Sequence, residues 1–322
     1  MERVILGGSG LSVSPIAFGT WQLSPRFWGE QSKDDAVTAM KFAFDHGINF
    51  IDTADAYGDG YGESVVGEAV QDLPRDELVI VTKVFNHFNP DGSRYPDLSP
   101  GHIVERCEAS LRRLGIETID LYLLHFYDQL TPLADLAGTM EKLRAQGKIR
   151  AFGVSNHTVE QLRAQRLCAP YSVIQPPYSL IDPDSENDML PYCQAENIGV
   201  MVYSPLHKGL LTGKYTGTET FDDFRRGHPD FLDQRFQELC DKVQNLRPIA
   251  DRYELTIYQL VVVTTLMHPA IHVAVCGIKT SEQIAEAIGA VGRTISREDF
   301  FTVRMLVGPT GPKIADAKGE QK

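Results

Sequence analysis

Short runs of β-branched, aliphatic and aromatic residues alternate along this chain with longer runs whose apolar positions return every three or four residues. The short runs predict strands at 15–19 (PIAFG), 48–52 (INFID), 79–83 (VIVTK), 119–125 (IDLYLLH), 149–154 (IRAFGV), 172–175 (SVIQ), 199–203 (GVMVY) and 272–276 (HVAVC). The longer runs predict helices over 34–46, 62–71, 101–114, 132–146, 158–167, 185–196, 236–268 (one helix or two) and 281–290, with Thr158, Ser185 and Ser281 as opening caps. Strand followed by helix, eight times over, predicts an α/β chain folded as a (β/α)8 barrel with the strands inside and the helices outside.

Such a barrel takes about 250 residues, and the remainder of the chain falls in three places. ERVILGGSGLSVS, at the start, reads as a hairpin about a Gly-rich turn that closes the barrel bottom. KGLLTGKYTGTETFDDFRRGHPDFLDQRF, after the seventh strand, mixes charges with aromatics and suits a lid at the carboxyl-terminal face. GPTGPKIADAKGEQK, from 308, reads as a flexible polar tail. With no break in composition, the expectation is one barrel domain over 1–307 and a tail over 308–322.

Composition narrows the class of function. The chain has 43% hydrophobic and 23% charged residues, ordinary for a globular protein. A formal charge of −12, without a basic run, argues against a nucleic-acid partner. No apolar stretch approaches the ~20 residues that cross a bilayer, and the start lacks the charged-then-apolar pattern of a secretory signal. Five scattered cysteines without a CxxC pair fit reduced thiols, so the expected setting is the cytoplasm.

Polar residues at the carboxyl ends of barrel strands carry a functional expectation. Asp52 ends the second predicted strand, Lys83 the third and His125 the fourth, and Tyr57 follows Asp52 on the next loop. Singly, Asp52 also reads as a helix cap, Lys83 as a surface amine and His125 as a satisfied core imidazole. Neighbouring strands lie about 4.8 Å apart, so three successive strand ends bring these side chains together. The chemistry such a cluster supports is proton transfer: an ammonium held by Asp52 is expected to lower the Tyr57 pKa, and a neutral His125 to donate a hydrogen bond to a substrate oxygen.

FIDTADAYG, VTK and LLH, with GVSN, IQPPYSL, YSPLHKGLLTGKY and CGIKTSEQIAEAIGA in order behind them, resemble the aldo-keto reductases over nearly the whole chain. The resemblance is to bacterial members related to the Shaker-channel β subunits and to general-stress reductases. It maps that family's catalytic tetrad onto Asp52, Tyr57, Lys83 and His125. In the channel subunits the tetrad His is typically Asn, so His125 favours a working enzyme. The family binds NADPH across the barrel mouth, which implies that Ser155, Asn156 and Gln175 hold the nicotinamide carboxamide and that Tyr203 stacks on the ring. It further implies that Ser204, Pro205, Leu206, Lys208 and Gly209 cover the pyrophosphate, and it adds Thr20, Trp21, Asp52, Lys214 and Gly277 to the cofactor set. Lys279, Thr280, Gln283 and Glu286 fall at the adenosine end, where a helix start and a Lys favour the 2′-phosphate of NADPH, with NADH the less favoured alternative. Two departures stand out: Pro176 and Pro177 stiffen the loop after Gln175, and Ala287 follows Glu286 where many members have Asn.

The expected activity is reduction of aldehydes or ketones, hydride coming from nicotinamide C4 and a proton from Tyr57. Two other readings are a Schiff-base aldolase using Lys83 and a cofactor-sensing regulatory subunit. Trp21, Trp28, Phe85, Phe126 and Tyr127 are the expected walls of a pocket for small, partly apolar carbonyls. GGSG at 7–10 lacks a following helix, and GLLTGKY fails the spacing of a phosphate-binding loop. The nine histidines show no paired metal-ligand spacing, so no metal is expected. Oligomeric state is undetermined by the sequence.

Overall fold

A computed structural model describes residues 1–89 and 91–308. Eight parallel strands close in chain order into a barrel: β1 (Ile16–Gly19), β2 (Phe50–Asp52), β3 (Val79–Val84), β4 (Ile119–Leu124), β5 (Ile149–Ser155), β6 (Val173–Gln175), β7 (Gly199–Tyr203) and β8 (Val273–Gly277). All eight predicted strands are present with ends within two residues of those expected. Alternation along each strand sends one set of side chains into the barrel and the other toward the helices. Ala17, Phe50, Val81, Leu121, Leu123, Ala151, Val173, Met201 and Val275 fill the interior. Ile16, Phe18, Ile51, Ile80, Tyr122, Phe152 and Val200 pack outward under the helical layer.

The amino-terminal hairpin pairs Val4–Ile5 with Ser12–Val13 and pushes Leu6, Leu11 and Val13 into the interior cluster. Its turn abuts the start of β7, where Gly7 pairs with Ile198 and the Gly8 N–H donates to the Asn197 carbonyl at 2.8 Å. The hairpin therefore plugs the barrel bottom, as expected.

Outside the barrel, helix Pro100–Leu114 shows how the sequence sets an element. Pro100 stands at the first position, where its missing N–H costs nothing. His102, Ile103, Cys107, Ser110 and Leu114 form the buried face, and left-handed Gly115 (φ 66°) ends the helix. Several expectations differ in detail. The run 236–268 divides into Asp233–Gln244, Arg247–Arg252 and Ile257–Leu266, the last opened by a capping box of Thr256 and Gln259. Ser185 does not cap a helix: Asp184–Glu186 is a separate 3-10 turn, Asp188 caps Met189–Ala195, and the Ser185 hydroxyl donates to the Pro177 carbonyl. Ser281 likewise yields its role to Thr280, whose hydroxyl accepts the Gln283 N–H. A hairpin, Asn86–Phe88 with Arg94–Pro96, and a helix, Arg297–Val307, were not foreseen.

The predicted lid is ordered about its own apolar cluster of Leu210, Tyr215, Phe231, Phe236, Leu239 and Cys240. From it Phe224 reaches across the barrel mouth to the short helix Pro25–Trp28, its ring 4.8 Å from Trp28 and 5.1 Å from Trp21. The predicted tail lies, from residue 309, outside the described residues. Among the described residues no helix is long and apolar enough to cross a membrane, and all five cysteines are unpaired.

Candidate active site

The carboxyl ends of the strands open into a cleft of about 1020 Å³. Beneath it lies Lys83, wholly buried at the end of β3. Its Nζ donates to Asp52 Oδ1 at 2.8 Å and Oδ2 at 3.0 Å, to the Thr53 carbonyl at 2.8 Å and to the Tyr57 hydroxyl oxygen at 3.4 Å. The Asp52 carboxylate and the Thr53 carbonyl can only accept, and the carboxylate at contact favours the ammonium even though burial pulls the Lys83 pKa below its ordinary value. Gln175, at the end of β6, donates its amide N–H to Asp52 Oδ1 at 2.8 Å and ties the far side of the barrel into the same cluster.

Tyr57 and His125 face the cleft from its floor, ring centres 6.2 Å apart and nearly perpendicular. Protein surrounds both rings except on the cleft side. Burial, followed by the Lys83 charge, holds the His125 pKa well below its ordinary value, so the imidazole is neutral, and its Nδ1 is buried without a hydrogen-bond partner. The Tyr57 pKa departs from the expected direction. Burial first and the Asp52 carboxylate second push it well above the ordinary phenol value instead of below it. The reason is that Asp52 neutralises Lys83 almost at contact, leaving little net positive field at the phenol while the dry surroundings oppose any charge. Tyr57 is thus a held proton, not a stored phenolate.

Next to this floor, β5, β6 and β7 contribute a linked polar set. The Ser155 hydroxyl donates to the Gln175 carbonyl at 2.8 Å, and the Asn156 amide donates to Ser155 Oγ at 3.1 Å and to the His125 carbonyl at 3.0 Å. The Tyr203 hydroxyl donates to Asn156 Oδ1 at 2.8 Å. Asn156 is left-handed (φ 56°), which this network enforces. Beyond Tyr203 the chain turns through left-handed Ser204, His207, Lys208 and Gly209, and His207 anchors that turn to the lid by a 2.8 Å contact with Asp230.

At the other end of the cleft lie Gly277, Lys279, Gln283 and Glu286. The Gln283 amide oxygen accepts the Lys279 N–H at 2.7 Å, and the Glu286 carboxylate accepts the Thr256 hydroxyl at 2.7 Å. Lys279 Nζ and the Arg225 guanidinium both stand over the Trp28 ring, at 5.0 Å and 5.1 Å. Burial and then the Arg225 charge lower the Lys279 pKa, outweighing the opposing pull of Asp223. Arg225 and Arg247 line the cleft unforeseen, as do His207 and Gln22.

Of the expected residues, Trp21, Asp52, Ser155, Asn156, Gln175, Tyr203, Ser204, Pro205, Leu206, Lys208, Gly209, Lys214, Gly277, Lys279, Gln283 and Glu286 all line this one cleft, with Trp28, Phe85 and Phe126 at its aromatic end. Tyr57 and His125 line it too, and four expected residues do not: Lys83, which lies beneath it, and three others. Thr20 turns inward and donates its hydroxyl to the Asp52 carbonyl. Thr280 is occupied as a helix cap. Tyr127 packs edge-on against His157, ring centres 5.5 Å apart. Ala287 is fully buried and offers the cleft no polar group.

The Aldo/keto reductase family model matches residues 15–307. The aldo-keto reductase YhdN of Bacillus subtilis (strain 168) is 35% identical, with 97% of each chain covered. The NADH-specific methylglyoxal reductase of Escherichia coli (strain K12) is 33% identical over 95% of this chain and 98% of its own. Among solved structures, a glycerol dehydrogenase from Gluconobacter oxydans superposes with a TM-score of 0.88 at 32% identity, covering 97% of this chain and 98% of its own. An aldo/keto reductase from Klebsiella pneumoniae in complex with NADP and acetate gives a TM-score of 0.76 at 29% identity, covering 97% and 98%. On residue pattern, barrel and full-length likeness together, the chain belongs to the Aldo/keto reductase family of oxidoreductases.

Proposed function

We propose that this protein reduces small aldehydes or ketones to alcohols in the cytoplasm, using NADPH, with Tyr57 as proton donor. The observation that carries the reading is the Lys83 ammonium, held by Asp52 and the Thr53 carbonyl, 3.4 Å from the oxygen of a phenol that faces the cleft beside a neutral imidazole. The cleft residues fit a dinucleotide. One end offers amides and the Tyr203 ring to a nicotinamide, the middle offers a left-handed turn with Lys208, and the far end offers Lys279 and Arg225 to phosphate.

When bound, the nicotinamide supplies the hydride. The protein's part is to orient the carbonyl and to manage one proton. His125, neutral, donates a hydrogen bond to the carbonyl oxygen and polarises it. As negative charge gathers on that oxygen it becomes a far stronger base than phenolate, and the raised pKa of Tyr57 is no obstacle to transfer. The phenolate left behind faces the Lys83 ammonium, which disperses its charge. Trp21, Trp28, Phe85 and Phe126 restrict the open end to small, partly apolar substrates, consistent with relatives named for methylglyoxal and glycerol.

The buried, triply engaged Lys83 speaks against a Schiff-base aldolase, and the complete Asp52, Tyr57, Lys83 and His125 set against a regulator without turnover. A panel of aldehydes and ketones, methylglyoxal and glyceraldehyde included, scored by loss of NADPH absorbance, tests the proposal. Turnover of several small carbonyls is expected, and none above the no-substrate rate would overturn it.

A further inference from the structure

The unforeseen hairpin brings together three residues that the catalytic reading does not use. His87 on its first strand, Asp97 at its exit and His102 in helix Pro100–Leu114 each present a ligating atom within 4.8 Å of the other two. Both imidazoles aim Nδ1 at the same oxygen, Asp97 Oδ2, at 3.9 Å from His87 and 3.8 Å from His102. Too long for hydrogen bonds, these separations leave room for an ion between the groups.

The supporting bonds are those of a ligand set. His102 is buried, and its Nε2–H donates to the Asn86 carbonyl at 3.0 Å. A carbonyl can only accept, so that bond leaves the Nδ1 lone pair facing Asp97, which is how metal-binding histidines are commonly oriented. Asp97 is fixed in the same way: Oδ1 accepts the Ser99 N–H at 2.8 Å and leaves Oδ2 to the histidines. His87 is stacked on Tyr95, ring centres 4.8 Å apart.

We propose that His87, Asp97 and His102 bind one divalent transition metal of the zinc, nickel or copper class, with a remaining position left to water. Two imidazoles and one carboxylate select these ions over magnesium or calcium, which prefer all-oxygen sites. Ligands about 2.0–2.2 Å from a tetrahedral ion stand roughly 3.4 Å apart, so each pair must draw in. His87, half exposed on a two-stranded hairpin, can supply that movement, whereas His102 and Asp97 are held. The Asp97 N–H also bonds the Phe85 carbonyl at 2.7 Å, and Phe85, Asn86 and Arg94 line the active-site cleft. An ion here therefore pins the aromatic wall of the cleft to the start of the helix.

The test uses full-length, untagged protein stripped with chelator, dialysed against zinc and passed through gel filtration, with bound zinc measured by atomic emission. One zinc per chain is expected, lost in both His87→Ala and Asp97→Asn, the weakening exceeding the roughly 10–100-fold that a supporting hydrogen bond contributes. Cobalt should give a visible absorption band in the parent that is missing in both variants. The His87 side chain is 38% exposed, so its variant is the one that disturbs the fold least. No retained zinc in the parent, or equal zinc in parent and both variants, would overturn the site.

Discussion

Lys83 Nζ lies 3.4 Å from the Tyr57 hydroxyl oxygen and 5.1 Å from the centre of the Tyr57 ring, and the Lys83 side chain is wholly buried. If Tyr57 gives up its proton as proposed, the ammonium already stands at the atom where negative charge would appear, and Asp52 balances it until then. The pair separates two tasks that the sequence suggests are one. On the proposed reading, Lys83 stabilises the product of proton transfer, while burial keeps the proton on Tyr57 until a basic oxygen arrives.

Replacing Tyr57 by Phe keeps the ring and removes the proton. General acid catalysis contributes roughly 10²–10⁴ in rate, so kcat for a good substrate should fall by about that factor. NADPH binding, followed by fluorescence, should be nearly unchanged. Near-parental kcat in the variant would exclude Tyr57 as the donor.

Lys83 should form no covalent adduct. Its three protons are engaged by Asp52, Thr53 and Tyr57, and no lone pair is directed at the cleft. Incubation with a carbonyl substrate and borohydride, followed by peptide mass analysis, should leave the Lys83 peptide at its parent mass. An increment there would support the aldolase reading.

Asp55, behind the site and fully buried, gives a test in stability. Its Oδ2 accepts the Arg106 Nε–H at 2.9 Å, yet burial outweighs that cation and raises its pKa from 3.8 to about 7. Between those values the unfolded chain has lost the proton and the folded chain retains it. This group's contribution is therefore complete below 3.8, falls as pH rises and is lost above about 7. Glu63, Arg106 and Arg113 share the environment, so the size is on the order of a few kcal/mol. Asp55→Asn lacks this titration, and its urea midpoint should gain on the parent as pH rises from 3.8 to about 7. A constant offset across that range would remove Asp55 from this role.

At the barrel bottom, Gly7 is left-handed (φ 50°), and a Cβ there would stand 2.1 Å from the Gly199 nitrogen. Backbone faces it, so no side chain can yield. Gly7→Ala should cost at least the ~1–3 kcal/mol of an overpacked core position, read as a lowered denaturant midpoint. Turnover of folded protein should be unaltered, because the plug lies at the opposite end of the barrel from Tyr57. An unchanged midpoint would mean that the hairpin does not hold this seat.

What could be read from the sequence follows from where a strong local signal exists. Buried parallel strands are unbroken apolar runs, so the barrel was legible, and a carboxylate or amine ending such a run marked Asp52 and Lys83. Arg225 was missed because the lid has no period to betray which side chains turn inward, and Arg247 because it falls where the predicted run 236–268 divides, at the start of the short helix Arg247–Arg252. Thr280 and Ser281 are adjacent hydroxyls, and one-residue choice between caps depends on backbone geometry. The hairpin carried a usable sign in Asp91-Gly92 between two short β-like runs, and Arg297–Val307 in Ser296 followed by Asp299, whose N–H the Ser296 hydroxyl accepts. The meeting of His87, Asp97 and His102 had no such sign, since it arises only when that hairpin folds onto a helix.

Cofactor choice rests on the cationic corner. Lys279 and Arg225 share the Trp28 ring, and burial followed by the Arg225 charge lowers the Lys279 pKa. A ligand bringing a phosphate relieves that repulsion, and one offering only ribose hydroxyls does not. A hydrogen bond to a charged group contributes about 1.5–3 kcal/mol, which corresponds to roughly a ten- to hundredfold preference for NADPH over NADH. Asp223 already pairs with Arg225, so Lys279 is the cation with more to gain, and Lys279→Met should erase much of the preference while NADH binding changes little. A relative at 33% identity is named NADH-specific, which makes the measurement decisive between two outcomes seen in one family. Fluorescence titrations of both nucleotides at low salt provide it. Equal affinity in the unmutated protein, or a preference untouched by the substitution, would show that Lys279 does not read the 2′-phosphate.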